Sequence, residues 1–296
     1  MSGQDHGWKP ILAVALGIAL LSLMDAFIKS AALAMGAYMA ALLRAGLAFL
    51  IVAPLWLLQK PTWPTRAVLK VHLKRGIVGA FMALTFFFAL TKLPLAETIA
   101  LSFIAPILSL YLAAILLGET IKPRAVSGAL LGLAGVLVIV GGKFGRGTLD
   151  GDTAIGLMAI TFSAILYAWN LVIQREQALV AKPLEVATSY MAIASICYLL
   201  AAPWLFEMPR PDMMGDVAIA AVLTVAGALV MAWAYARAEA QRLVPMEYSG
   251  FIWASIFGWL LLGERVTWTA IGGAMLIVAG CWIATIGKRR PEQSAL

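Results

Sequence analysis

The sequence predicts an all-α integral membrane protein, with ten transmembrane helices arranged as two inverted five-helix repeats. Three observations carry this. Of the residues, 62% are hydrophobic and only 12% are charged, against about a quarter charged in a soluble domain. Apolar stretches of about 20 residues recur with short polar breaks, and each can cross a hydrocarbon core about 30 Å thick. Finally, "LLGETIKPRAVSGALLGLAGVLVIVGGK" (Leu116 to Lys143) is written again as "LLGERVTWTAIGGAMLIVAGCWIATIGK" (Leu261 to Lys288), with 12 of 28 positions identical at a constant offset of 145.

The apolar runs are continuous rather than alternating. In lipid every backbone polar group needs an internal partner, so such runs are helices and not strands of a barrel. The first, 10–32, is too long for a signal-peptide core and no small-residue cleavage site follows, so it is expected to stay as a span. The second, 37–58, carries Arg44. The third, 72–91, follows a basic loop, and a very short break at Lys92–Leu95 separates it from the fourth, 95–117. The break Leu116–Pro123 leads into the fifth, 123–142, where Gly128, Gly132 and Gly135 share one helix face. Small residues on one face let helices approach closely in lipid, so this stripe reads as a helix-packing surface, with a dimer interface as the alternative.

The remaining spans, 152–174, 184–206, 215–238, 243–262 and 267–287, repeat the plan, and Gly273 and Gly280 repeat the outer glycine pair. The repeat boundary divides the chain into residues 1–146 and 147–296. Five spans is an odd number, so the second copy enters the membrane from the opposite side. The copies are then related by a pseudo-two-fold axis in the membrane plane, a design suited to transport by alternating access. The same offset sets Ala234 against Ala89, Arg237 against Lys92 and Asn170 against Asp25.

Basic residues fix the expected orientation. With the N-terminus in the cytoplasm, the inside segments carry 15 Lys and Arg and the outside segments six, which places both termini inside. The net charge of +7 is thus a topology signal spread over short loops, and no nucleic-acid surface is expected. Cys197 and Cys281 lie within spans, and His6 and His72 lie at membrane edges, in no metal or catalytic pattern. No phosphate-binding glycine loop with a lysine is present, so ATP hydrolysis is not expected. No cofactor or metal is expected either. A lipid-modifying membrane enzyme would cluster His, Asp or Ser at one interface, and two scattered histidines do not. The partners expected are a small-molecule substrate and the bilayer. The sequence leaves monomer or homodimer open.

Pro106, Gly118, Glu119, Gly128 and Gly135 in the first half, with Gly263, Glu264, Gly273 and Gly280 in the second, resemble the EamA-type repeats of the drug/metabolite transporter superfamily. The resemblance covers nearly the whole chain. The second half departs from it where Phe251 stands at the counterpart of Pro106. "PMEYSGFIWASIFGWLLLGE" (Pro245 to Glu264) is similar to the bacterial branch that includes aromatic amino acid exporters. The resemblance implies a multi-pass carrier of the bacterial inner membrane that exports small metabolites, amino acids foremost, and is not an enzyme. Glu119 and Glu264 follow helix-ending glycines and read as turn or loop anchors, with substrate ligation as the alternative.

Charges inside spans are costly and point to function. Asp25 lies about 15 residues into the first helix, roughly 22 Å from its cytoplasmic edge, and Arg44 lies at a comparable depth in the second. Lys29 follows one turn after Asp25. Asp25, Lys29 and Arg44 read either as a structural cluster that offsets mutual burial cost or as a site in which Asp25 couples transport to protons. Glu247, one turn inside the ninth helix, and Asn170, late in the sixth, read either as an inner vestibule or as an interfacial carboxylate and a backbone-bonded amide.

By the resemblance, the first, third, fourth, sixth, eighth and ninth helices line the cavity. Their midplane stretches offer Ser22, Phe86, Ser102, Ser163, Tyr167, Trp169, Trp233, Tyr248 and Trp253. Such a wall suits an apolar or aromatic side chain held by stacking and a few hydroxyls. It suits a nucleotide sugar or polyanion badly, because those need several interior cations.

Overall fold

The structure, a computed structural model, describes residues 8–61, 63–117, 123–145, 150–178, 180–237, 243 and 246–285. Its elements are helices throughout. Half one contains α1 (Lys9–Met35), α2 (Ala37–Leu57), α3 (Arg66–Lys92), α4 (Leu95–Ser102), α5 (Ala105–Leu117) and α6 (Pro123–Gly145). Half two contains α7 (Gly151–Ala178), α8 (Pro183–Leu205), α9 (Met214–Tyr235), α10 (Gly250–Leu262) and α11 (Trp268–Thr285), with a 3₁₀ turn at Pro211–Met213. Among the described residues, seven helical segments are long and apolar enough to span a membrane, and three shorter apolar segments accompany them. Gly118 and Glu119 lie outside the described residues.

Local chemistry sets the helix ends. Pro10 and Pro183 stand in the first turns of α1 and α8, where the missing amide costs nothing. Thr65 caps α3 by accepting the Val68 amide at 3.4 Å. Asp150 accepts the Thr153 amide at 2.8 Å at the start of α7. Hydrogen bonds from the Thr153 hydroxyl and amide hold the Asp150 carboxyl below the usual carboxylate range. α1 turns into α2 through Gly36 alone, at φ 83°, a conformation that favours glycine.

The near end of the molecule is where α1 starts, and the far end is where it finishes. α1 packs along α9, and α7 packs along α3, which is the same pairing carried over by the offset. α2 meets α8, its own counterpart, and α6 meets α11, its own counterpart. The α6–α11 seam is where the glycines lie. A Cβ on Gly135 would sit 2.5 Å from the Gly273 carbonyl, and one on Gly280 would sit 2.5 Å from the Gly128 carbonyl. As the α6 position rises from 128 to 135, its partner falls from 280 to 273. The helices are therefore antiparallel, and the two contacts are images of each other. That is the signature of an inverted repeat with its axis through this seam.

The fourth span differs from its expectation of one helix over 95–117. It is broken at Phe103 and Ile104 into α4 and α5. Pro106 has no amide for the Ser102 carbonyl, and its ring crowds that carbonyl. The ninth span breaks at the equivalent place, Tyr248 and Ser249, although Phe251 stands where Pro106 does. The hydrogen bonds match register for register. Ile104 N–H bonds Leu101 O at 3.3 Å and Ile107 N–H bonds Ile104 O at 3.0 Å. Ser249 N–H bonds Met246 O at 3.0 Å and Ile252 N–H bonds Ser249 O at 2.9 Å.

Large apolar side chains cover the outside. On α7, Ile155, Met158, Phe162 and Ile165 form an exposed stripe. Trp8 and Trp63 are exposed at the near end, and Trp204 and Trp268 at the far end, as aromatic belts at the two interfaces would be.

Candidate functional site: a polar path between the halves

The two breaks meet. The rings of Phe103 and Tyr248 contact edge to face with centroids 5.3 Å apart. Trp253 stacks on Phe257 one turn further along α10, at 6.0 Å. Phe86 is half-buried and lies against Phe87, at 6.1 Å. Phe86, Phe103 and Tyr248 pack against one apolar cluster, and Phe257 packs with Phe86 and Phe103 against a second.

Tyr167 and Asn170 share the inward face of α7, but Trp169 does not. It is 38% exposed and continues the apolar stripe of Phe162 and Ile165, because one residue of helix rotates a side chain by about 100°. Trp233 also leaves the expected wall. It is 40% exposed, and the Arg237 guanidinium lies 4.3 Å from its ring centre. Ser102 and Ser163 spend their hydroxyls on backbone. Ser102 donates to Ile99 O at 2.7 Å within its own helix. Ser163 donates to Met82 O at 2.9 Å, pinning α7 to α3. Ser22 is buried.

Toward the near end the path becomes polar. Arg75 Nε donates to Asn170 Oδ1 at 3.3 Å, and Arg75 Nη1 donates to Gln177 Oε1 at 2.6 Å. Gln177 Nε2 lies 2.5 Å from His72 Nδ1, and His72 Nε2 lies 3.1 Å from Glu185. The Arg75 guanidinium also lies 5.2 Å from the Tyr190 ring centre. Asn170 thus bonds a guanidinium and not a backbone carbonyl. Tyr235 donates its hydroxyl to Glu247, so this carboxylate is held within the protein rather than turned outward. Tyr167 stands within electrostatic range of both Glu247 and Arg75.

At the far end the charges are paired differently from the expected cluster. Lys29 engages Glu264 of the other half and the Leu93 carbonyl, not Asp25. Glu264 also accepts the Leu95 amide at 2.7 Å. It is the anchor of a helix start, as a turn role implies, and an ion-pair partner as well. Glu97 pairs with Lys143 at 2.7 Å, both buried, and accepts from Thr267 of the other half at 3.4 Å. Lys92 meets Asp152 at 2.9 Å. A separate cavity of about 410 Å³ opens at the α1–α2 turn, lined by Tyr38, Leu84, Thr85, Phe88 and Glu207 among others.

Arg44 is buried at 5% exposure. Its Nη1 donates to Thr224 Oγ1 at 3.1 Å and its guanidinium lies 4.9 Å from the Phe87 ring centre. Sequence reasoning missed Glu97, Lys143, His72, Arg75 and Gln177. Glu97 was findable, being a carboxylate inside a span. His72 and Arg75 were hidden because α3 starts at Arg66, six residues before the expected span.

Comparison with known proteins fits this architecture. The EamA-like transporter family matches twice, over residues 8–141 and 154–286. The Pseudopaline exporter CntI of Pseudomonas aeruginosa is 26% identical over 276 residues, covering 92% of this chain and 94% of that protein. The Aromatic amino acid exporter YddG of Ancylobacter novellus is 29% identical over 227 residues, covering 73% and 76%. A crystal structure 20% identical in sequence shares the fold with a TM-score of 0.64, covering 96% of this chain and all of that one. Two family matches, one in each half, and relatives aligned over most of their length settle the class: the chain belongs to the EamA-like transporter family and is a multi-pass membrane transporter.

Proposed function

We propose that this transporter exports small amphipathic metabolites, foremost amino acids with aromatic or bulky neutral side chains, by alternating access in a bacterial inner membrane. The observation that carries the reading is the ring-lined crossing of the broken helices, where Phe103 and Tyr248 touch and Trp253 and Phe257 stack nearby. An aromatic wall with few hydroxyls left free favours a ligand that stacks. The 29% identity to a protein named as an aromatic amino acid exporter supports the same cargo. Tyr167, Tyr248 and Trp253 are the stacking groups in this reading. Glu247 and Asn170 receive cargo at the near end, and Ser22 and Phe86 complete the wall. With 15 basic residues against six, the near end faces the cytoplasm and export runs from near to far.

Purified carrier in proteoliposomes tests this with labelled phenylalanine, tryptophan, leucine, glutamate and a sugar phosphate. Pseudopaline, the cargo in the Pseudomonas relative's name, is a further arm. Phenylalanine and tryptophan should move fastest. Tyr167→Ala and Trp253→Ala should each lower their flux several-fold, with membrane abundance unchanged. Normal flux in both variants, or transport confined to the sugar phosphate, sinks the proposal.

A further inference from the structure

The pseudo-two-fold places the polar residues of one half on defined positions of the other, and at Asp25 the image fails in an informative way. Near the other end, Arg75 on α3 donates to Asn170 on α7. The offset of 145 carries Asn170 back to Asp25 on α1, and Arg75 forward to Ala220 on α9. α1 and α9 pack together just as α7 and α3 do. The amide has become a carboxylate, and the guanidinium that would face it has become a methyl group. Among the described residues Asp25 has no hydrogen bond and no ion pair, although it lies mid-span in a helix that crosses the membrane. A lone carboxylate there is expensive and points to function.

The charge whose field acts on Asp25 is Arg44, with no ion pair between the two. Arg44 is itself half-used. Nη1 bonds Thr224 Oγ1, whose own proton goes to the Ala220 carbonyl at 2.8 Å. The face of the guanidinium rests on Phe87. The Nε–H is buried with no acceptor. A guanidinium edge that includes Nε is the geometry that takes a carboxylate with two parallel hydrogen bonds. The charges occur in half one only, since the images of Asp25 and Arg44 are Asn170 and Ser189.

We propose that Asp25 and Arg44 form a zwitterion clamp: the substrate's ammonium binds Asp25, and its carboxylate binds the free edge of Arg44. Phe87 and Thr224 are positioning residues that hold the guanidinium. The edge is enclosed in this state, so the carboxylate reaches it only as the surrounding helices part. The proposal rests on the amino acid reading above and narrows it to compounds carrying both an α-ammonium and an α-carboxylate.

The test is competition against labelled phenylalanine in proteoliposomes, using phenylalanine, phenethylamine and 3-phenylpropionate. The wild type should prefer phenylalanine over each singly charged analogue by at least about tenfold, since each analogue leaves one buried charge unmet. Arg44→Gln should lose most of the discrimination against phenethylamine and keep that against phenylpropionate. Asp25→Asn should do the reverse. If all three compounds compete equally on the wild type, the clamp is wrong whatever the variants do, and this measurement needs no variant to fold. If the wild type discriminates but both variants keep the full pattern, the clamp is also wrong. If the wild type carries no amino acid at all, the proposed function fails instead. Arg44→Lys retains the charge but not the two-toothed edge, and should discriminate less well than the wild type but better than Arg44→Gln.

Discussion

Lys29 is the residue whose surroundings changed most between sequence and structure. Its spacing from Asp25, one helical turn, suggests a pair, yet its ammonium crosses to Glu264 in the other half. Spacing along one helix shows only what a helix can do alone. The partner lies 235 positions away, and only the packing of α1 against α10 brings it near. Breaking a buried pair leaves one charge without a counter-ion, at a cost of about 3–5 kcal/mol. Lys29→Met should therefore lower the thermal unfolding temperature in detergent by several degrees. Lys29→Met combined with Glu264→Gln should recover much of it, because the amide oxygen of Gln can still accept the Leu95 amide. A double variant no better than the sum of its parts counts against the pair. Glu97 and Lys143 make the same point within one half.

The mirrored breaks raise a question at the level of the element. Only one of them has a proline, yet the backbone hydrogen bonds on either side match. The difference lies in one carbonyl. Phe251 N–H reaches Tyr248 O at 3.3 Å, whereas Pro106 has no amide to offer Phe103 O. The Cys281 thiol donates there instead, at 3.1 Å. Its own image, Val136, has no such task. Cys281 therefore compensates for Pro106 across the α11–α4 contact. Cys281→Ala leaves a buried carbonyl unmet, at about 1–3 kcal/mol, while Cys281→Ser should cost less. In a Pro106→Ala background the restored amide should shrink the Cys281→Ala penalty. Equal penalties in both backgrounds, read from thermal unfolding, refute the idea. The repeat, the spans and the glycine seam were legible because hydropathy, charge and small-residue spacing act locally or along one helix. The breaks were not. Phe103 and Tyr248 are as apolar or aromatic as their neighbours, and the ninth span carries no proline at the position equivalent to Pro106. Trp169 was misplaced because a run of apolar residues does not say which face meets lipid.

At the scale of the molecule, the halves are tied at both ends, by the Arg75 and His72 network at the near end and by a buried ion pair at the far end. α4 and α10, the far-end pieces of the two broken helices, pack on each other. Lys29 with Glu264 and Thr267 with Glu97 tie one half to the other there. The image of Lys29 is Gln174, so the near end cannot form the mirrored ion pair. The alternating-access cycle proposed above requires this contact to open each time, since a site between inverted halves would be exposed to one side at a time. Gly258 offers a way to hold it shut. A Cβ built there lies 3.6 Å from the Leu95 Cβ, within the roughly 3.5–4.5 Å that a disulfide spans. The Leu95→Cys, Gly258→Cys double variant should cross-link on mild oxidation. Once cross-linked it should stop moving phenylalanine across proteoliposomes, and dithiothreitol should restore the flux. The single variants, treated identically, should transport throughout. Full transport by protein shown on a gel to be cross-linked would mean that the far end does not open during the cycle, and the alternating-access account of this fold would have to be abandoned.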